Sequence, residues 1–134
     1  MSTIYRSPKA CLFRDSRGFL ELFPTEGIDF DGNDIQEIIQ AVIAAGITGT
    51  SLLISRINRY GVPKDFNLLS YTSSHSIRFH KIAFFAPSPT DRTFSQVMKD
   101  TAYRGIPCEI FSDRESAIHW ILDSNAEQGA AANP

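Results

Sequence analysis

Ile106-Pro107-Cys108-Glu109-Ile110-Phe111-Ser112-Asp113-Arg114-Glu115-Ser116-Ala117-Ile118-His119-Trp120-Ile121-Leu122 is the stretch on which the fold turns. A short apolar run passes directly into a segment of helical character that carries the chain's single Trp. Ser112 with Glu115 three residues later has the spacing of a capping box. There each side chain satisfies a backbone N–H that a helix start leaves without a partner. A strand feeding a capped helix closes an α/β domain. Trp120, on that helix with Ala117 and Ile121, is expected as a buried anchor.

The segments before it follow the same grammar. Residues 80–86 hold the contiguous run Ile82-Ala83-Phe84-Phe85, and residues 51–57 hold Leu52-Leu53-Ile54. Runs without alternation are expected in strands covered on both faces, as in parallel sheets. After Ser88-Pro89-Thr90-Asp91, a helix is expected with Phe94, Val97, Met98, Thr101 and Ala102 on one stripe, ending at Gly105. A weaker helix is expected from Pro63 to about residue 74, with Phe66 and Leu69 inward. Ile35, Ile38, Ile39, Val42 and Ile43 recur at helical spacing and draw the clearest apolar stripe. Asp31 or Asn33 can cap that helix, Asp34 and Glu37 suit its positive end, and Gly46 suits a left-handed stop. Residues 10–14 and 19–23 flank Asp15-Ser16-Arg17-Gly18, a hairpin signal.

The order read from the chain is β-β-α-β-α-β-α-β-α. It predicts a single-domain α/β fold whose mixed sheet opens with an antiparallel hairpin and continues in β-α-β units. The 134 residues suit one domain. Its core is expected at about 8–123, with 124–134, poor in large apolar residues, as a flexible tail.

Net charge is −2 with both signs mixed along the chain, which argues against a nucleic-acid groove or a polybasic membrane surface. No apolar run reaches membrane-spanning length, and residues 1–6 lack a signal-peptide core, so a cytoplasmic protein without integral membrane association is expected. Cys11 and Cys108 sit in apolar surroundings and read as buried reduced thiols.

Phe111-Ser112-Asp113 followed by Ala117 and Trp120, together with element order and length, resembles the closing pattern of the SpoIIAA-like STAS (STAS/SEC14-type) family of small bacterial proteins. The resemblance implies a SpoIIAA-like fold over roughly residues 8–123. It implies a non-enzymatic binding or regulatory module that engages a protein partner or a small ligand. Its SEC14 side implies an alternative, a carrier of a lipid or hydrophobic metabolite in an internal cavity near Phe84, Phe85, Phe94 and Met98. At helical and strand spacing those residues read first as core. A small hydrolase is a third alternative. Antagonists in the STAS group carry a phosphorylatable Ser in an Asp-Ser-Ser-Gly type motif. This chain has Ser55-Arg56-Ile57-Asn58 there, without an Asp-Ser pair, so no phosphorylation is expected.

Ligands of open α/β sheets favour the crevice at the carboxyl ends of parallel strands. Those ends supply the candidate ligand or partner site: Arg56 and Arg59 for an anion, Asn58 and Tyr60 for hydrogen bonds and an aromatic wall, and Ser88 and Thr90 from the neighbouring loop. The competing reading is an ordinary solvated loop. His119 falls off the apolar stripe and is expected exposed. His75 and His80 flank a junction near Ser70, Ser73 and Ser74, without the Gly-x-Ser-x-Gly elbow of a hydrolase. Counting from Asp29, the sixth and twelfth positions are Asp34 and Gln40 rather than the Gly and Glu of a calcium loop. No catalytic residue, metal site or cofactor is expected. A homodimer through a sheet edge or an apolar helix face fits the sequence.

Overall fold

The computed structural model describes residues 2–24, 32–55, 77–101 and 106–123. Six strands form one sheet in sequential order: β1 (Ser2–Arg6), β2 (Ala10–Arg14), β3 (Leu20–Pro24), β4 (Gly49–Ser55), β5 (Arg78–Phe85) and β6 (Cys108–Phe111). β1, β2 and β3 pair antiparallel, whereas β3 through β6 run parallel. Helix α1 (Gly32–Ala44) joins β3 to β4, α2 (Pro89–Thr101) joins β5 to β6, and α3 (Arg114–Leu122) follows β6. The mixed α/β sheet is thus the one expected, with an additional edge strand. Ser2–Arg6 escaped the sequence reading because its alternation is broken: the register shifts between Thr3 and Tyr5. The helix expected after Pro63 lies outside the described residues.

Local chemistry sets the turns. Between β2 and β3 the Asp15 N–H donates to the Phe19 carbonyl, and Gly18 adopts φ +103°, a conformation that favours glycine. α1 ends as expected at Gly46, φ +78°. The Gly46 N–H donates to the Ile43 carbonyl and the Ile47 N–H to the Val42 carbonyl, the paired bonds of a Schellman stop. Ile47 and Val42 are both buried in the same cluster, supplying the apolar contact that accompanies such a stop. α2 begins with Pro89, whose missing N–H costs nothing in a first turn. Its cap is Ser88, whose Oγ accepts from the Asp91 N–H at 3.0 Å.

The cap of α3 lies one residue later than its sequence spacing suggests. Asp113, not Ser112, is the N-cap: its carboxylate accepts from the Ser116 N–H at 2.8 Å and from the Ser116 hydroxyl at 2.7 Å. A carboxylate is the stronger acceptor and also meets the positive end of the helix.

The sheet buries both faces. On one, Ile38, Ile39 and Val42 of α1 meet Leu12, Leu20, Leu22, Leu52, Ile54, Ile82 and Phe84. On the other, Ala117, Ile118 and Ile121 of α3 meet Phe19, Leu53 and Ala83, with Phe85, Phe111 and Trp120 at the margin. The alternation of Leu52, Leu53 and Ile54 between the clusters explains why β4 reads as a continuous apolar run.

Three expectations change. Trp120 is half-buried rather than enclosed, its ring 5.8 Å from that of Phe111. Cys11 is half-buried, while Cys108 is buried and burial pushes its thiol up to about 12. In α2, Val97 is 43% exposed and Phe94 half-buried, whereas Asp91 and Ser95 are almost fully buried. Its inward line therefore includes an i, i+4 polar pair. Ser95 accommodates burial by donating its hydroxyl to the Asp91 carbonyl at 2.8 Å.

Candidate functional site

Glu21 is the second residue of β3 and has no exposed surface. Strand alternation turns it to the α3 side of the sheet, next to Leu53 in register and near Ser55 at the end of β4. Arg114, the first residue of α3, donates from Nε to Glu21 Oε2 at 2.9 Å and from a terminal nitrogen to Oε1. Ser55, also buried, donates its hydroxyl to Oε2 at 3.1 Å. The carboxylate thus accepts three hydrogen bonds, two of them from the planar guanidinium fork. Pairing with Glu21 raises the Arg114 pKa further above its ordinary value.

The opposite end of α3 carries the opposite charge. Lys81 of β5 is 1% exposed. Its ammonium donates to the Trp120 carbonyl at 2.8 Å and to that of Asp123, and lies 5.1 Å from the centre of the Trp120 ring. A cation at the carbonyl end and an anion near the amino end both match the helix dipole. Buried charges survive only with such partners. α3 is therefore clamped to the sheet at both ends by groups that rise from the strands.

These charges were not among the candidates read from sequence. The signal was present: Glu21 stands between Leu20 and Leu22, and Lys81 precedes Ile82-Ala83-Phe84. Lys81 lies in a strand expected to be covered on both faces, where a lone charge demands a buried partner.

Of the expected site residues, Arg56, Asn58, Arg59 and Tyr60 lie outside the described residues. Ser88 and Thr90 stand at the carboxyl end of β5. Ser88 is half-buried and caps α2, while Thr90 is exposed on its first turn. Arg92 braces the same junction by donating to the carbonyls of Ala86 and Pro87 at 3.3 and 3.1 Å. His119 is exposed, as expected. Asp34, one of the acids of the calcium-like stretch, is engaged by Lys9 at 2.7 Å. Among the described residues no three His, Cys, Asp or Glu side chains are grouped to hold a metal ion.

An open hollow of about 820 Å³ lies between β1 and α1, lined by Tyr5, Asn33, Gln36, Glu37, Gln40 and Ala41. The Tyr5 hydroxyl donates to Glu37 Oε2 at 2.7 Å across it. Burial, with Glu37 adding, raises the Tyr5 pKa, so the phenol stays a neutral donor. No helix among the described residues is long and apolar enough to cross a membrane. Comparison with protein-family models, with curated proteins and with solved structures finds no match to this chain.

Proposed function

We propose that this chain is a non-enzymatic, STAS-like binding or regulatory module of the cytoplasm. It engages an acidic protein partner or an anionic small ligand through the loops at the carboxyl ends of its parallel strands. The observation that carries this reading is the rim beneath those loops. Ser55 is tied to Glu21 at the end of β4, Ser88 caps α2 after β5, and Asp113 caps α3 after β6. β4, β5 and β6 therefore end at fixed exits, and loops on rigid exits are where binding residues collect. The sequence that follows Ser55 holds Arg56, Asn58, Arg59 and Tyr60, the side-chain chemistry of anion recognition. The element order and the sequential sheet support the STAS-like assignment. The polar side chains at these exits are occupied in capping and pairing, which favours binding over hydrolysis.

The test pairs the wild-type chain with the double variant Arg56→Gln, Arg59→Gln as baits in extract from the native host. The expected result is a species retained by wild type at low salt, weakened as salt rises, and lost from a variant of unchanged Tm. Equal retention by both baits would return the loop to a solvated connection. A lipid carried by wild-type protein into native mass spectrometry would favour the carrier instead.

A further inference from the structure

We infer that α3 is a detachable cover, opening from the sheet as a unit while the strands stay paired, and that Glu21 and Lys81 are the pins that seat it. Three observations carry this inference, and none depends on the proposed partner.

First, the cover is thin. α3 sets only Ala117, Ile118 and Ile121 fully into its side of the core, with Trp120 half-buried. The opposite side joins strands from β2 to β6 with α1 in one continuous apolar cluster. Apolar burial scales with area, so lifting α3 forfeits far less than opening the sheet.

Second, the pins favour release as well as seating. Glu21 and Lys81 sit at 0% and 1% exposure. Taking such ions out of water is costly, and their pairing recovers that cost only in part. When α3 lifts, Arg114 leaves Glu21, and Lys81 loses the Trp120 and Asp123 carbonyls. Each ion then regains hydration, which offsets part of what the apolar contacts lose. The pair therefore seats the helix with a net gain smaller than its hydrogen bonds alone would supply.

Third, the chain path permits it. α3 follows the edge strand β6 and is joined to it through Ser112 and Asp113 alone. No described strand follows α3, so its departure breaks no strand pairing among the described elements. The uncovered strip carries Phe19, Leu53, Ala83, Phe85 and Phe111, with Glu21 and Ser55 at one end and Lys81 at the other.

Native-state hydrogen exchange on the full chain, followed peptide by peptide across low urea concentrations, tests the inference. In wild type, the helical amides of α3 should exchange at least about tenfold faster than those of β4 and β5, with weaker urea dependence, the mark of a sub-global opening. In Glu21→Gln, and separately in Lys81→Met, the α3 amides should accelerate about fivefold or more, whereas Ile39→Val, on the opposite face, should accelerate the β4 and β5 amides about fivefold and leave those of α3 unchanged. Wild-type α3 amides that follow the strand amides at every urea concentration would overturn the inference, even if neither variant folds. Unchanged α3 amides in both pin variants once folded, or equal acceleration of α3 and the strands in Ile39→Val, would also overturn it.

Discussion

The two faces of this sheet are built by different chemistry. The α1 face is apolar from β2 to β6, and its order comes from volume and shape. The α3 face combines a smaller apolar patch with a buried carboxylate and a buried ammonium, each aimed at one end of a single short helix. Apolar packing is strong but tolerant of position, whereas a charge buried against one partner accepts only one placement. The difference teaches that stability and register are separated in this molecule. The first face holds the sheet together, and the second fixes where the last helix lies.

Truncation should separate them most sharply. Phe84 is fully buried in the α1-side cluster. Phe84→Ala should lower unfolding free energy by about 3–5 kcal/mol, a large share of a small domain's stability. Urea unfolding read by far-UV circular dichroism measures it. A loss below about 1 kcal/mol would erase the contrast by showing that the α1 face is loosely packed.

Next come the two partners of one ion pair, whose losses should be unequal. Arg114→Met leaves Glu21 buried without its cation and should cost about 3 kcal/mol at neutral pH. Glu21→Gln leaves Arg114, whose side chain is 35% exposed and turns to water, and should cost about 1 kcal/mol. The order of the two midpoints in one denaturant series sharpens the comparison. Equal losses would show that the carboxylate reaches water in the variant and that this face is less enclosed than its geometry indicates.

The half-buried margin of the same face ranks below both. Trp120 packs on Phe111 and beneath the Lys81 ammonium rather than inside a closed core. Trp120→Ala should therefore cost about 2 kcal/mol, less than the 3–5 kcal/mol of an enclosed large side chain. Trp120→Phe, which keeps ring and packing, should recover most of it. A loss as large as that of Phe84→Ala would make the two faces equivalent.

How much of this was legible in the sequence follows from the same contrast. The hairpin, α1 and the apolar strands β4 and β5 were readable because periodicity and turn residues act locally. The left-handed stop at Gly46 needed only its own dipeptide context. The α3 side was not readable in the same way. Glu21 and Arg114 are 93 residues apart in sequence, and nothing local announces that one strand carboxylate and one helix guanidinium will meet. The buried pair Asp91 and Ser95 defeated the stripe through Phe94 and Val97 for a related reason: a helix can bury polar groups once their bonds are met, which apolar counting does not detect. The cap of α3 moved by one residue because Ser112 and Asp113 are adjacent acceptors, and spacing to Glu115 favoured the weaker one. Of the candidate site, Ser88 and Thr90 stand at a strand end as read, and Ser88 also has a capping duty that its position before Pro89 signals.

The smallest expected effect belongs to the exposed edge of the α3 face, where Asp15 holds Arg17. Asp15 accepts from the Arg17 side chain at 2.8 Å and from its N–H at 2.9 Å, and the Arg17 guanidinium lies 5.4 Å from the Phe19 ring centre. These bonds, the guanidinium first, hold the Asp15 carboxyl down at about 2 against an ordinary 3.8. A depressed carboxyl stabilises the fold at every pH above its ordinary value, and that contribution disappears as pH falls from about 4 to about 2. The Asp113 carboxyl, lowered by the Ser116 hydroxyl and N–H, acts in the same direction. Arg17 is about half exposed, so water screens the pair and its share should fall below each loss above. Asp15→Asn should lower the urea midpoint slightly at neutral pH, and the gap to wild type should close as pH falls through about 2, below which both chains lack the charge. A gap that persists unchanged into acid would assign the effect to the turn's backbone bonds rather than to charge. The edge of this face would then be held by the geometry of its turn rather than by charge.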